Sequence, residues 1–237
     1  MKVSILFVSL TALFVTCLIT ATILSVKLWL LAGYVLPAGT VIFPLSYIFG
    51  DVLTEVYGYG AARVVVWLGF LCNLLVVVAI FTGGILPPAH FWHDQHAYDT
   101  ILGSTRRVLA ASFAAYLMGE FVNAYLFAKL KIVTSGRLLW VRAVTSTFVG
   151  QGLDTVVFIT IAFSGIIPAG ELKTTMLTQW LVKVGYEIIA LPLTYTVVNA
   201  LKRYEHCDVY DYTTEFNPLR FHGLSFEGRE QTGTASA

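Results

Sequence analysis

The sequence predicts an all-α polytopic membrane protein built as a bundle of six transmembrane helices. Three observations carry this expectation. Of the 237 residues, 57% are hydrophobic and 12% are charged, with a mean hydropathy of +0.76; an ordinary globular chain has about 25% charged residues. Six apolar stretches, 5–26, 37–56, 64–85, 108–128, 144–166 and 175–201, reach the roughly 20 residues needed to cross a hydrocarbon layer. None alternates with the period of two of a membrane β-strand, and backbone in lipid must satisfy its own polar groups, which leaves helices.

The first stretch opens with a single Lys and mimics a signal peptide. Its apolar run exceeds the roughly 7–15 residues of a signal core and no small-residue cleavage site follows cleanly, so it reads as the first span. Ala12, Thr16 and Thr20 recur every four residues, a small-residue face suited to close helix packing or to docking another protein. Gly58 and Gly60 follow the second span, Gly83-Gly84 with Pro87-Pro88 the third, and Gly165 with Pro168 the fifth.

Lys2, Arg63, Lys129, Lys131, Arg137, Arg142, Lys202 and Arg203 fall on one side of this arrangement, and Lys27, Arg106, Arg107 and Lys173 on the other. The bias places both termini in the cytoplasm of a multi-pass inner-membrane protein. Arg106 and Arg107 run against it and read as interfacial anchors. Residues 1–204 form the transmembrane domain and 205–237 a cytoplasmic tail, with disorder expected from about residue 223. Cys17, Cys72 and Cys207 make no disulfide framework. The net charge of +1 and the lack of a basic stripe give no sign of nucleic-acid binding.

The functional signal lies inside the spans. Asp51 and Glu55 sit in the second, Glu120 and Asn123 in the fourth, Gln151 and Asp154 in the fifth, and Lys183 and Glu187 in the sixth. Each pair is three or four residues apart and so shares a helix face. Glu120, Asp154 and Glu187 fall near mid-membrane, and Asp51 roughly 8 Å from the end of its span at 1.5 Å per residue. A lone charge at that depth costs about 2.5–3.5 kcal/mol, so these groups must face one another or a wet cavity. The competing structural reading makes Lys183–Glu187 a mutual ion pair and the amides helix glue. Glu55 is close enough to the interface to pair with Arg63 or to reach the headgroups.

PLSY at residues 44–47 returns as PLTY at 192–195. The two occurrences lie in the second and sixth spans, which does not fit a three-plus-three duplication. The external loop carries HFWHDQH, with His90, His93, Asp94 and His96; it reads as an aromatic membrane edge rather than a metal site. No nucleophile–base arrangement, metalloprotease motif or phosphate-binding glycine loop is present, so neither an enzyme nor a cofactor is expected.

FPLSYIFGDVLTEVYGYGAARVVVWLGF resembles the signature of the queuosine-precursor transporter family, also catalogued as vitamin uptake transporters. LPPAHFWHDQHAYDTIL, RVLAASFAAYLMGEFVNAYLFAKLK, LWVRAVTSTFVGQGLDTVVFITIAF, LVKVGYEIIALPLTYTVV and YDYTTEFNPL continue the match in order, over roughly residues 10–219. One departure is Thr22, where members often carry Asn, and Thr22 is left out of the site. The resemblance implies a six-helix bundle distantly similar to the substrate-binding subunits of vitamin importers. It also implies import of 7-cyano- or 7-aminomethyl-7-deazaguanine for the tRNA base queuosine.

The residues suit that substrate class. A deazaguanine ring offers two adjacent donors that one carboxylate accepts together, while Gln or Asn serves the carbonyl edge. Asp154 or Glu120 is expected at the donor edge, with Gln151 and Asn123 completing it. Glu187 or Asp51 would meet the 7-substituent, and Lys183 would balance charge or donate to the carbonyl. Asp51, and less directly Glu55, are the candidates for proton coupling. A stand-alone secondary transporter or facilitator is expected. The rival readings are a binding subunit energised by a separate ATPase complex, an intramembrane enzyme and a purely structural membrane protein; oligomeric state is open.

Overall fold

The computed structural model describes residues 4–25, 27–31, 33–103, 106–165, 168–212 and 214–218. It is mostly helical. The order is α1 (Ile5–Leu24), β1 (Leu28–Leu31), β2 (Tyr34–Pro37), a 3-10 turn (Ala38–Val41), α2 (Phe43–Ile85), α3 (Gln95–Leu102), α4 (Arg106–Val133), α5 (Leu139–Phe163) and α6 (Ala169–Glu205). Among the described residues four segments are long and apolar enough to cross a membrane: Ile5–Leu24, Ala38–Ile85, Leu139–Phe163 and Gly170–Glu205. At 28 residues α4 is also long, but Glu120, Lys129 and Lys131 lower its hydropathy. The sequence-predicted disorder from residue 223 and the side chains of Arg106 and Arg107 lie outside the described residues.

Two features depart from the all-α expectation. Strands β1 and β2 pair antiparallel in a short hairpin, with Leu28 opposite Pro37 and Leu31 opposite Tyr34. The predicted second span therefore begins as strand and 3-10 turn, and its helix starts only at Phe43. The expected second and third spans also join into one element, α2, interrupted at Gly58 (φ 81, ψ 170). That conformation is essentially closed to residues with a Cβ.

Helix α1 is capped by Ser4, whose Oγ accepts from the Leu6 N–H. The same hydroxyl donates to Glu205, tying the start of α1 to the end of α6. Leu10, Phe14, Leu18 and Ala21 form its buried stripe, and they join Val52, Leu53, Val56, Val65, Val66 and Tyr116 in the main core. The small-residue face is not the packing face: Ala12 and Thr16 are exposed and Thr20 is half-buried. Bulky apolar side chains make the larger contact area, so the stripe that packs is offset from the stripe of small residues.

The break at Gly58 explains the path of the chain after α6. A non-helical residue leaves neighbouring backbone groups without ladder partners. Residues 206–212 and 214–218 run back as a strap and supply them: the Val209 N–H donates to the Val56 carbonyl, and Asp211 Oδ2 accepts from the Tyr59 N–H at 2.9 Å. Arg63 donates to the Glu215 and Asn217 carbonyls, and the Trp67 indole donates to that of Pro218. Phe216 packs on Tyr59 and Tyr125. A Cβ added to Gly58 would lie 2.7 Å from Val209 Cγ1 and 3.2 Å from Asp211 Oδ1. Gly58→Ala is therefore expected to cost about 1–3 kcal/mol through backbone strain, plus loss of strap contacts, read as a lower thermal unfolding midpoint in detergent. An unchanged midpoint would separate the strap from the break.

Candidate functional site

Apolar surface gives helices little reason to associate in lipid, so close backbone approach and polar contacts carry more of the packing. Helices α4 and α5 meet through Gly119 and Gly150. A Cβ on Gly119 would lie 3.1 Å from the Gly150 carbonyl oxygen, and one on Gly150 would lie 2.9 Å from that of Gly119. This approach brings the polar stripes of the two helices together. The first limb of α2 and helix α6 close the other sides.

Seven of the sequence-predicted residues, Asp51, Glu120, Asn123, Gln151, Asp154, Lys183 and Glu187, are all buried, none more than 5% exposed. Lys183 Nζ donates to Asp154 Oδ2 at 2.6 Å. The Lys183–Glu187 pair of the competing structural reading does not form, because the lysine reaches across to α5 instead of along its own helix. Asn123 Nδ2 donates to Asp51 Oδ1 at 2.8 Å. The remaining polar atoms have no protein partner: both atoms of the Gln151 amide, both Glu187 oxygens, Glu120 Oε1, Asp51 Oδ2 and Asn123 Oδ1. Native folds leave few buried polar groups unpaired, which makes this concentration the candidate place for a polar ligand.

Sequence reasoning missed Phe43 and Tyr47. Tyr47 is fully buried with its hydroxyl unpartnered. A Cβ placed on Gly119 would sit 2.5 Å from that hydroxyl and 2.8 Å from Asp154 Cβ, which locates the phenol beside the Lys183–Asp154 pair. Phe43 presents its ring to Lys183 Nζ at 4.5 Å and lies 5.7 Å from the Tyr47 ring. Phe43, Tyr47 and Asp51 are spaced by four, so the stripe through Asp51 extended toward the start of α2 would have found them. The same extension on α5 finds Thr147 and Thr155, buried with unpartnered hydroxyls.

Glu55 is separate from this layer. It is fully buried, and Arg142 grips it through Nε to Oε2 at 3.0 Å and Nη2 to Oε1 at 2.7 Å. Lys202 Nζ bonds Oε1, and Lys131 Nζ lies 3.7 Å from that oxygen. Pairing with Arg63, one of the two alternatives for Glu55, does not form, because Arg63 is turned toward the strap. Asp208 completes the cluster, bonded by Lys131 at 2.6 Å and Lys202 at 2.9 Å. Burial pushes the Asp208 carboxyl up, but hydrogen bonds and charge from the two lysines outweigh it and hold the group below its ordinary value. Its stabilising contribution is complete above the unfolded value of about 3.9 and is lost as pH falls through the depressed folded value.

A cavity of about 240 Å³ lies elsewhere, between α1, the second limb of α2 and α3, walled in part by Thr22, Asn73, Phe81 and Tyr98. Its wall includes none of the layer's acids. Tyr98 of α3 donates to the Ile80 carbonyl at 2.8 Å. Among the described residues no group of three His, Cys, Asp or Glu side chains is arranged to hold a metal ion.

Long apolar helices enclosing a buried, incompletely paired polar layer define a helical membrane protein of the kind that handles a small polar solute. The chain belongs to the family described as "Putative vitamin uptake transporter", whose profile matches residues 37–197 and so spans every layer residue. It is 35% identical to a "Probable queuosine precursor transporter" of Bacillus subtilis (strain 168), over 75% of this chain and 78% of the relative. It is 27% identical to the "Queuosine precursor transporter" of Escherichia coli (strain K12), over 53% of this chain and 54% of that one. A "Probable queuosine precursor transporter" of Haemophilus influenzae (strain ATCC 51907 / DSM 11121 / KW20 / Rd) is 26% identical over 53% and 51%. No solved structure matches the chain.

Proposed function

We propose that the protein imports queuosine precursors, 7-cyano- and/or 7-aminomethyl-7-deazaguanine, across the cell inner membrane as a stand-alone secondary transporter or facilitator. The observation that carries this reading is the buried polar layer, with Gln151, Glu187 and part of Glu120 left unpaired. The relative covering 78% of its own length supplies the substrate class. In this reading the two limbs of α2 each span the membrane and α4 spans it too, giving six spans with both termini cytoplasmic. The strap then lies at the inner surface.

Roles follow from the free atoms. Lys183 already occupies one oxygen of Asp154, so Glu120 is the stronger candidate for the ring's adjacent donors, with Asp154 beside it. Gln151 offers both a donor and an acceptor to the carbonyl edge, and Lys183 can add a second donor there. Phe43 and Tyr47 supply aromatic surface for the flat ring. Glu187, Asp51 and the Asn123 carbonyl meet the 7-substituent. Asp51 is the candidate coupling group, placed where a proton and a cationic substituent compete for one carboxylate; Glu55 is the second candidate, held within its ion cluster.

The test is uptake of radiolabelled 7-cyano- and 7-aminomethyl-7-deazaguanine by the purified protein in liposomes, with and without an inward proton gradient. Uptake of at least one base is expected without any other protein. Uptake unaffected by collapsing the gradient would replace coupling with facilitated diffusion. The second reading, a binding subunit of an ATPase complex, is favoured by the exposed Ala12 and Thr16 face of α1. It requires binding without uptake in the same liposomes.

A further inference from the structure

The free atoms of the layer are not distributed evenly. Lys183 and the Tyr47 hydroxyl stand beside Asp154, and the Gln151 amide offers both a donor and an acceptor. The unpartnered atoms of Asp51, Asn123 and Glu187 are all acceptors. Asn123 gives one of its two amide N–H donors to Asp51 Oδ1, and its carbonyl Oδ1 is unpartnered, on a side chain 1% exposed. Glu187 adds two unpartnered oxygens from a side chain also 1% exposed, and Asp51 adds Oδ2. Helices α2 and α6, which carry Asp51 and Glu187, pack against each other. Among the described residues no basic side chain forms an ion pair with either: Lys183 is held by Asp154, while Arg142, Lys131 and Lys202 serve Glu55 and Asp208.

Two buried carboxylates with no cation among them, beside an unpartnered amide carbonyl, are costly unless a ligand brings positive charge and donors. A primary ammonium does so, with one positive charge and three N–H donors. We infer that the Asp51–Asn123–Glu187 end of the layer is an ammonium subsite, so the protein binds a flat heterocycle carrying a primary amine in preference to its uncharged counterpart. This rests on the transport reading above and specifies which precursor that site takes. Glu187 and Asp51 contact the amine, and Asn123 positions Asp51 while contributing its carbonyl.

The experiment is equilibrium binding of 7-aminomethyl- and 7-cyano-7-deazaguanine to the purified full-length protein, in sodium and in choline buffers. A charge-assisted hydrogen bond in a dry site is worth an affinity difference of about tenfold or more. Wild-type protein is expected to bind the aminomethyl base at least about tenfold more tightly than the cyano base. Glu187→Gln is expected to cost the aminomethyl base at least about tenfold more affinity than it costs the cyano base, and Asp51→Asn to act in the same direction. A thermal unfolding curve for each variant reports that it folds. Equal wild-type affinities, a cyano preference, or equal losses for both bases in both variants overturn the inference and leave the transport reading standing. So does a sodium-dependent rise in affinity that is the same for both bases, which would mark a metal-cation site instead. Failure of the wild type to bind either base overturns the transport reading and the inference with it.

Discussion

Glu55→Gln is expected to destabilise the fold more than any other single change considered, by about 3–5 kcal/mol, the usual cost of breaking a buried ion pair from one side. Glu55 is fully buried, and Arg142 and Lys131 are each 1% exposed. With the carboxylate neutralised, these two cations and the partly exposed Lys202 face one another with only the half-exposed Asp208 to balance them. Glutamine can accept from one of them and cannot supply the charge. The measurement is the thermal unfolding midpoint in detergent together with the yield of folded protein. Uptake per folded molecule should be unchanged if Glu55 only holds the helices. A folded variant with wild-type stability would show that the cluster does not hold α2, α5 and α6 together, and loss of proton dependence in such a variant would assign coupling to Glu55.

Asp154→Asn and Glu120→Gln are expected to lower affinity and uptake by roughly 10- to 100-fold each, the range of one or two charge-assisted hydrogen bonds. The two substitutions should differ in stability. Asp154→Asn also leaves Lys183 buried without its counter-charge, so it should lower the unfolding midpoint as well. Glu120 has no basic partner among the described residues, so its amide should leave the midpoint close to wild type. The measurements are binding and liposome uptake of the same labelled bases, with a melting curve for each variant. If both variants retain wild-type affinity and uptake, the donor edge of the ligand is held elsewhere.

The existence of the polar layer was legible before any coordinates. Acids and amides three or four residues apart on four apolar helices must share helix faces, and lipid leaves such faces nowhere to point but inward. The helical class followed from the same constraint. The partners were not legible. Asp51 and Glu55 are one turn apart in α2, yet one meets Asn123 of α4 and the other Arg142 of α5 and Lys202 of α6. Helical periodicity fixes a residue's direction about its own axis and does not say which helix stands there.

The strap shows the same division. Its sequence reads as a polar tail, and its ordered path depends on α2 breaking at Gly58 and leaving the Val56 carbonyl and the Tyr59 N–H in need of partners. Sequence alone determined a helical membrane protein with a charged interior, because the cost of exposing polar groups to lipid is local to each span. Tertiary structure alone decided that Glu55 is locked into an ion cluster and that Asp51, Glu187 and Gln151 keep free atoms. Those outcomes are set by contacts between residues far apart in the chain, where the break at Gly58 and the Gly119–Gly150 approach choose which stripes meet.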